Sequence, residues 1–237
     1  MFMKTNSNSL SHIAIIMDGN RRWARKNKLK IFKGHEKVAT EGFEKITDHC
    51  IKRGVSYLTL WAFSTENWKR EEQEVNAILN LMRTLFIKGF EPMIKKKVRF
   101  MTIGDTSRFP KDIQEGLNKL RESSKNNDSI TVTLAINYGG RDEIARTVKK
   151  IADLDDLTGL TIKQIEEKIS QNLDTSFLPD PDLIIRTGGE QRLSGFLPWQ
   201  SVYSELYFSD VLMPDFDEDE LDKALDEYKR RERRFGH

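Results

Sequence analysis

Apolar runs divide the chain into a regular alternation of strands and helices. Residues 13–17 form an unbroken apolar run, the pattern of a strand buried on both faces. Residues 55–63, 98–103, 130–136, 182–186 and 205–208 read as five further strands. Between them, apolar positions recur at helical spacing. Ala39, Phe43, Ile46 and Cys50 share one face of a predicted helix over 34–53, with Gly54 just past its end. A longer helix over 72–95 carries Val75, Ile78, Met82, Leu85, Phe86 and Met93, and Leu81, Ile87 and Phe90 widen that stripe. Its breadth suits either ordinary core or the wall of an apolar tunnel. Pro110 opens a helix bearing Ile113, Leu117 and Leu120, and 123–129 reads as a polar loop. Ile144, Ala145, Val148 and Ile151 give the next helix an apolar face, and 161–173 opens on a Thr161…Gln164 capping box. The last helix, 217–234, is acidic at its start and basic at its end, as the helix dipole favours. Residues 26–33 are basic without a period and read as a loop.

This order predicts an α/β fold: one open, mostly parallel twisted sheet of about six strands with helices on both faces. No linker divides the chain, so 12–237 reads as a single domain behind a flexible polar tail, 1–11. Right-handed crossovers bring the polar clusters that follow the strands to one edge of the sheet. Three clusters stand out there: Asp18-Gly19-Asn20-Arg21-Arg22, Ser64 to Arg70, and Arg186 to Ser194. Several arginines around one carboxylate suit a diphosphate, because guanidiniums grip phosphate oxygens bidentately and the carboxylate can hold Mg²⁺.

Composition narrows the chemistry. Basic and acidic residues nearly balance, 39 against 37, so no global field points to nucleic acid. A lone Cys50 fits a reducing compartment, and no apolar run approaches a membrane span, so a soluble, cytoplasmic protein is expected. No His/Cys cluster has zinc spacing, and no P-loop is present. His35 reads equally as a phosphate donor or proton shuttle and as a surface helix cap, and Gly188-Gly189 alone means only a loop.

The string His12-Ile13-Ala14-Ile15-Ile16-Met17-Asp18-Gly19-Asn20-Arg21-Arg22-Trp23-Ala24 resembles the signature of the cis-prenyltransferases, and of the bacterial undecaprenyl diphosphate synthases in particular. Ala62-Phe63-Ser64-Thr65-Glu66-Asn67-Trp68, Gly104-Asp105-Thr106-Ser107-Arg108, Asn137-Tyr138-Gly139-Gly140-Arg141, Arg186-Thr187-Gly188-Gly189-Glu190 and Glu205-Leu206-Tyr207-Phe208 resemble further motifs of that family, in family order. The resemblance implies Mg²⁺-dependent condensation of isopentenyl diphosphate onto an allylic diphosphate, in cis geometry and over repeated cycles, giving a long polyprenyl diphosphate lipid carrier. Asp18 is then the essential catalytic carboxylate and a metal ligand, with Gly19, Asn20, Arg21, Arg22, Trp23 and His35 around the allylic diphosphate. Ser64, Thr65, Glu66, Trp68 and Arg70 belong to a substrate-binding loop. Asn67 there matches a position assigned as proton acceptor, although an amide is better suited to orienting a water or the substrate. Arg186, Arg192, Leu193 and Ser194 correspond to the isopentenyl diphosphate clamp, and Glu205 to a second metal carboxylate. The family is homodimeric, with Arg234-Phe235-Gly236 reaching across the interface, and peripheral contact with a membrane for product release is compatible with it.

Three positions depart from the family pattern. Ile31 replaces an arginine, Val38 a glycine, and Arg21 a glycine common among bacterial members, which bears on allylic-substrate preference. A non-catalytic partner subunit on the same fold is the alternative, but such subunits lose the aspartate and arginines that are present here. A phosphatase would want an Asp-x-Asp pair, and Asn20 breaks it.

Overall fold

The structure, a computed structural model, describes residues 10–154 and 157–231. Among them, six strands make one sheet: β1 (His12–Ile16), β2 (Tyr57–Ser64), β3 (Val98–Ile103), β4 (Ile130–Tyr138), β5 (Leu183–Arg186) and β6 (Glu205–Phe208). The spatial order is β3-β4-β2-β1-β5-β6, and every pair is parallel, where the sequence predicts a mostly parallel sheet. From β1 the chain moves outward to β2, whereas the crossover from β4 to β5 lands on the other side of β1. The carboxyl ends of β1 and β5 therefore flank a topological switch point, where open α/β sheets bind ligands.

Helices α1 (Asn20–Lys26), α2 (Phe32–Lys37) and α3 (Phe43–Lys52) follow β1. A π-helical turn, Val38–Gly42, joins α2 to α3, so the predicted helix starts earlier than Gly34 and carries an internal bulge. The long helix after β2 is interrupted in the same way: α4 (Glu72–Thr84) passes through a π-helical turn, Leu85–Gly89, into α5 (Glu91–Lys95). Helix α6 (Lys111–Ser124) follows β3 and runs into the predicted loop, because Ser124 is buried and its hydroxyl accepts the Phe100 N–H at 3.0 Å. Helices α7 (Gly140–Leu154), α8 (Ile162–Asn172) and α9 (Glu218–Arg230) complete the order, and the capping box predicted at Thr161 forms.

Alternate strand residues serve two cores. Ile13, Ile15, Leu58, Leu60, Val132 and Leu134 pack with α3, α4, α6 and α9 on one face. Ala14, Ile16, Ala135 and Ile184 pack with Phe196 and Leu197 on the other. There α7 turns an unexpected side inward: Gly140, Glu143, Thr147 and Ile151 are buried, while Val148 is exposed. The Tyr138 hydroxyl donates to Glu143 Oε2 at 2.6 Å; of the predicted face Ile144, Ala145, Val148 and Ile151, Ile151 is buried and Val148 is exposed. The expected flexible tail falls outside the described residues up to position 9, but Ser11 is anchored, its N–H donating to Asp182 Oδ2 at 2.8 Å. No described helix is long and apolar enough to cross a membrane.

Candidate active site at the switch point

Asp18 lies just past β1, and the chain can turn there because Gly19 takes φ +103, a left-handed conformation that side chains rarely adopt. The Gly19 N–H donates to Asp18 Oδ1 at 2.6 Å. Arg186, the last residue of β5, arrives from the neighbouring strand with Nη2 2.9 Å from Asp18 Oδ2. Its Nη1 donates to Ser194 Oγ at 2.8 Å and to the Arg192 carbonyl. Ser194 holds φ +54, an uncommon conformation for serine of the kind that concentrates at functional sites. Arg22 adds a second charge, its Nη2 3.5 Å from Asp18 Oδ1. Gly188 makes the approach feasible, since a Cβ at that position would sit 2.6 Å from Arg22 Nη2.

A second group of side chains closes the opposite wall. The Ser64 N–H donates to Asn67 Oδ1 at 3.0 Å, in a capping box that shapes the turn Thr65–Lys69. That bond fixes the amide: its oxygen serves the backbone, and the NH₂ is left to the site. Glu74 gathers two arginines, with Arg70 Nη1 at 2.7 Å and Arg21 Nη2 at 3.7 Å. The motifs after β3 and β4 buttress this wall rather than enter it. Trp68 Nε1 donates to Asn137 Oδ1 at 2.8 Å, Asn137 Nδ2 donates to the Asp105 carbonyl at 2.7 Å, and Arg108 lies 4.6 Å over the Trp68 ring.

Between these walls opens a cavity of about 370 Å³. Asp18, Asn20, His35, Ser64, Glu66, Asn67, Arg70, Arg186 and Ser194 form its polar part. Leu60, Ala62, Leu134 and Ile136 from the sheet, Ala39 in the first π-turn and Phe43 just after it, and Ile78, Leu81, Met82, Leu85, Phe86 and Phe90 form its apolar part. Along β2 the lining passes from Ser64 to Ala62 to Leu60, four residues or about 13 Å into the fold at ~3.3 Å per residue. Both π-turns thus border the cavity. Of the helix residues expected to line a tunnel, Leu81, Leu85 and Phe90 border this cavity, while the Ile87 side chain lies outside the described residues.

The electrostatics suit a bound anion. Burial opposes ionisation of Asp18, but the Arg186 and Gly19 hydrogen bonds and the charges of Arg186 and Arg22 outweigh it and hold the carboxyl below its ordinary value. His35 is pushed down to about 4, first by burial and then by the Arg70 and Arg21 charges, so it is neutral near pH 7. Its Nε2, like Arg186 Nε, is buried with no hydrogen-bond partner among the described residues.

Other expected residues stand apart from the cavity. Trp23 turns away, its indole N–H donating to Asp215 Oδ1 at 2.7 Å with Lys37 over the ring. Thr65 and Trp68 stand behind the wall, and Leu193 packs on the opposite face of the sheet. Arg192 contributes its carbonyl, while its guanidinium is exposed and paired with Glu190. Glu205 opens β6 in register with Leu183, three residues before Arg186, which places it about 10 Å short of the sheet edge at ~3.3 Å per residue. It pairs there with Arg231 at 2.9 Å, so one chain does not bring it to Asp18; Arg234 to Gly236 lie outside the described residues. Conversely, Glu74, Gly188 and Asn137 shape the site without having been singled out for that part; only Glu74, four residues after Arg70 on a predicted helix, carried a local signal.

Residues 16–236 match a family model described as putative undecaprenyl diphosphate synthase. An isoprenyl transferase of Clostridium tetani is 46% identical over 95% of this chain and 88% of its own length. One from Fusobacterium nucleatum is 48% identical over 95% of each chain. A crystal structure of lavandulyl diphosphate synthase from Lavandula x intermedia, in complex with dimethylallyl diphosphate, superposes with a TM-score of 0.90 at 34% identity, over 96% of this chain and 98% of that one. A probable undecaprenyl diphosphate synthase from Campylobacter jejuni gives 0.78 at 37% identity, over 97% and 100%. A charged mouth at a switch point, over an apolar cavity, accords with these likenesses: the chain is a prenyltransferase and belongs to the undecaprenyl diphosphate synthase family of cis-prenyl chain-elongating enzymes.

Proposed function

We propose that this enzyme condenses isopentenyl diphosphate onto an allylic diphosphate such as farnesyl diphosphate and repeats the step to make a long polyprenyl diphosphate. The observation that carries this reading is the continuity of one cavity from the Asp18–Arg186 mouth to an apolar interior bounded by Leu85, Phe86 and Phe90. A diphosphate is held by charge at the mouth, while a hydrocarbon chain leaves water inside, worth roughly 0.8 kcal/mol per CH₂.

Mg²⁺ fits this mouth. Asp18 is ionised and part-exposed, and its carboxylate retains lone pairs beyond those used by Arg186 and Gly19. Among the described residues, no group of three or more His, Cys, Asp or Glu side chains could hold a metal alone. A single carboxylate suits a cation whose remaining ligands are phosphate oxygens and water. When bound, Mg²⁺ supplies charge neutralisation to the departing diphosphate.

The side chains do the rest. Arg186, Arg22, Arg70 and the Asn67 NH₂ present donors to diphosphate oxygens, and neutral His35 offers its unpaired Nε2. The allylic C–O bond breaks with its electron pair leaving on diphosphate, the isopentenyl double bond supplies the new C–C bond, and a proton passes from that unit to a diphosphate oxygen or a water. Preorganised donors accelerate such a step because charge grows on the oxygens they already face. Asn67 orients substrate rather than taking the proton, since its oxygen is committed to Ser64.

A homodimer is supported by apolar residues left outside, with Val202 70% and Tyr203 64% exposed. Peripheral contact with an anionic membrane is supported by the exposed Arg25, Lys26, Lys28, Lys30 and Lys33 around an exposed Leu29. Incubation with isopentenyl and farnesyl diphosphates and Mg²⁺, followed by mass spectrometry of the dephosphorylated product, should show a ladder of added five-carbon units. Absence of any elongated product with the whole allylic series would overturn the reading.

A further inference from the structure

Phe86 borders the cavity from the π-turn Leu85–Gly89, and its ring leans on α6 at a point where α6 carries no side chain. That residue is Gly116. A Cβ there would lie 2.5 Å from Phe86 Cδ2, 2.8 Å from Cγ and 3.2 Å from Cβ, the first two closer than real Cβ atoms approach. Gly116 is not part of the cavity lining; it stands behind the ring that is. A mid-helix glycine costs about 1 kcal/mol relative to alanine, so helix formation alone does not account for it.

We infer that Gly116 determines product chain length at second hand, by giving the Phe86 ring a niche in α6 that keeps it clear of the growing hydrocarbon. The inference rests on the cavity being the product tunnel. Helix α6 resists retreat from an added methyl group, because Ile113, Leu117 and Leu120 are buried beneath it. The ring must yield instead. The neighbouring Phe90 ring, 6.0 Å away, is itself buried and blocks the path along the π-turn. The cavity that the ring already borders is open to it, and its bore narrows when the ring enters. Gly116 is thus a positioning residue that acts through Phe86 and touches no substrate.

Product length separates this role from a structural one. Phe86→Leu removes the ring from the wall and tests the tunnel itself: a shift in the product distribution supports it, and an unchanged distribution overturns the tunnel reading along with the present one. Given a shift, Gly116→Ala should move the distribution toward products shorter by one or more five-carbon units, with the Michaelis constant for isopentenyl diphosphate within about twofold of wild type. In the Phe86→Leu background, Gly116→Ala should have no effect, because nothing is left to push. Wild-type product length from Gly116→Ala, failure of that variant to fold, or equal shortening with and without the Phe86 ring would each overturn the inference and leave the glycine a packing role.

Discussion

On the face of the sheet covered by α3, α4 and α6, the strands present Leu58, Leu60, Leu134 and Ile136, and the packing opens into the cavity. On the opposite face the same strands bury His12, Thr59 and Thr133, and the packing is closed by directional bonds. His12 Nδ1 donates to the Pro179 carbonyl at 2.7 Å, and Nε2 accepts from the Thr59 hydroxyl at 2.8 Å. Glu143 Oε2 receives the Tyr138 hydroxyl, and Gln200 Nε2 reaches both Glu143, at 3.1 Å, and Thr175, at 2.7 Å. An apolar lining tolerates changes of shape, so it can hold a chain whose length changes at every cycle. A hydrogen-bonded core tolerates few, and it holds β1, β2 and β4 in register beneath the catalytic edge. One face is free to vary because the other is not.

The sharpest break in this comparison is at the edge where the two faces meet. Asp18→Asn keeps an oxygen for Arg186 and the shape of the turn but removes the negative charge. Turnover should fall by about 10²–10³, the usual cost of one oriented electrostatic partner, and the folded protein should melt at a lower temperature, because the ionised carboxylate that Arg186 and Arg22 favour also stabilises the fold. Activity within a few-fold of wild type at saturating Mg²⁺ would remove Asp18 from the chemistry.

On the closed face the expected pattern is the reverse. Glu143→Ala leaves the Tyr138 hydroxyl buried without its acceptor, at about 1–3 kcal/mol, while the Gln200 amide keeps its bond to Thr175. Urea denaturation should show that loss, while the surviving folded enzyme makes the wild-type product distribution. A shortened product from this variant would mean that the two faces are not separate in function.

Acidification affects both faces through one histidine each. His12 and His35 are held at about 4 in the folded chain, chiefly by burial, against 6.5 when unfolded. Between those values the unfolded chain binds protons that the folded chain refuses. The stabilisation is therefore complete above pH 6.5 and is lost as pH falls toward 4. Each should cost about 2 kcal/mol between pH 7 and pH 5, at ~1.4 kcal/mol per pKa unit. Denaturation curves of wild type, His12→Gln and His35→Gln at the two pH values test it, because each variant should lose about half of the pH dependence.

The sheet and the residues at its switch point were legible because both follow from short-range rules. Apolar runs ending in Asp-Gly-Asn or in Arg-Thr-Gly-Gly mark strand ends, and parallel crossovers bring such ends together. What escaped was set by partners remote in sequence. Helix α7 turns Glu143 inward, where its carboxylate accepts from Tyr138 and from Gln200, 57 residues further on, so counting apolar residues along it selects Val148, which is exposed. Trp23 follows the arginines directly, yet Asp215 draws it away from the cavity. Both π-turns are also silent in the sequence, where apolar spacing alone does not mark the extra residue in a turn.

Two arginines from the same strand end give the smallest and most discriminating prediction. The Arg186 side chain is 6% exposed and bonded to Asp18 and Ser194, whereas that of Arg192 is 61% exposed and paired with Glu190. A solvated pair of that kind is worth roughly 0.2–1 kcal/mol, and a charge at the rim of a site acts mainly on the encounter rate. Arg192→Ala should therefore raise the Michaelis constant for isopentenyl diphosphate by less than about tenfold, and added salt, which screens rim charges over ~8 Å, should erase most of the difference. Arg186→Lys should do more, because an ammonium cannot reproduce the guanidinium fork that spans Asp18 and Ser194. A salt-independent rise of fifty-fold or more for Arg192→Ala would show that its side chain swings inward when substrate binds, making it a true clamp and the contrast with Arg186 one of ligand state rather than of position.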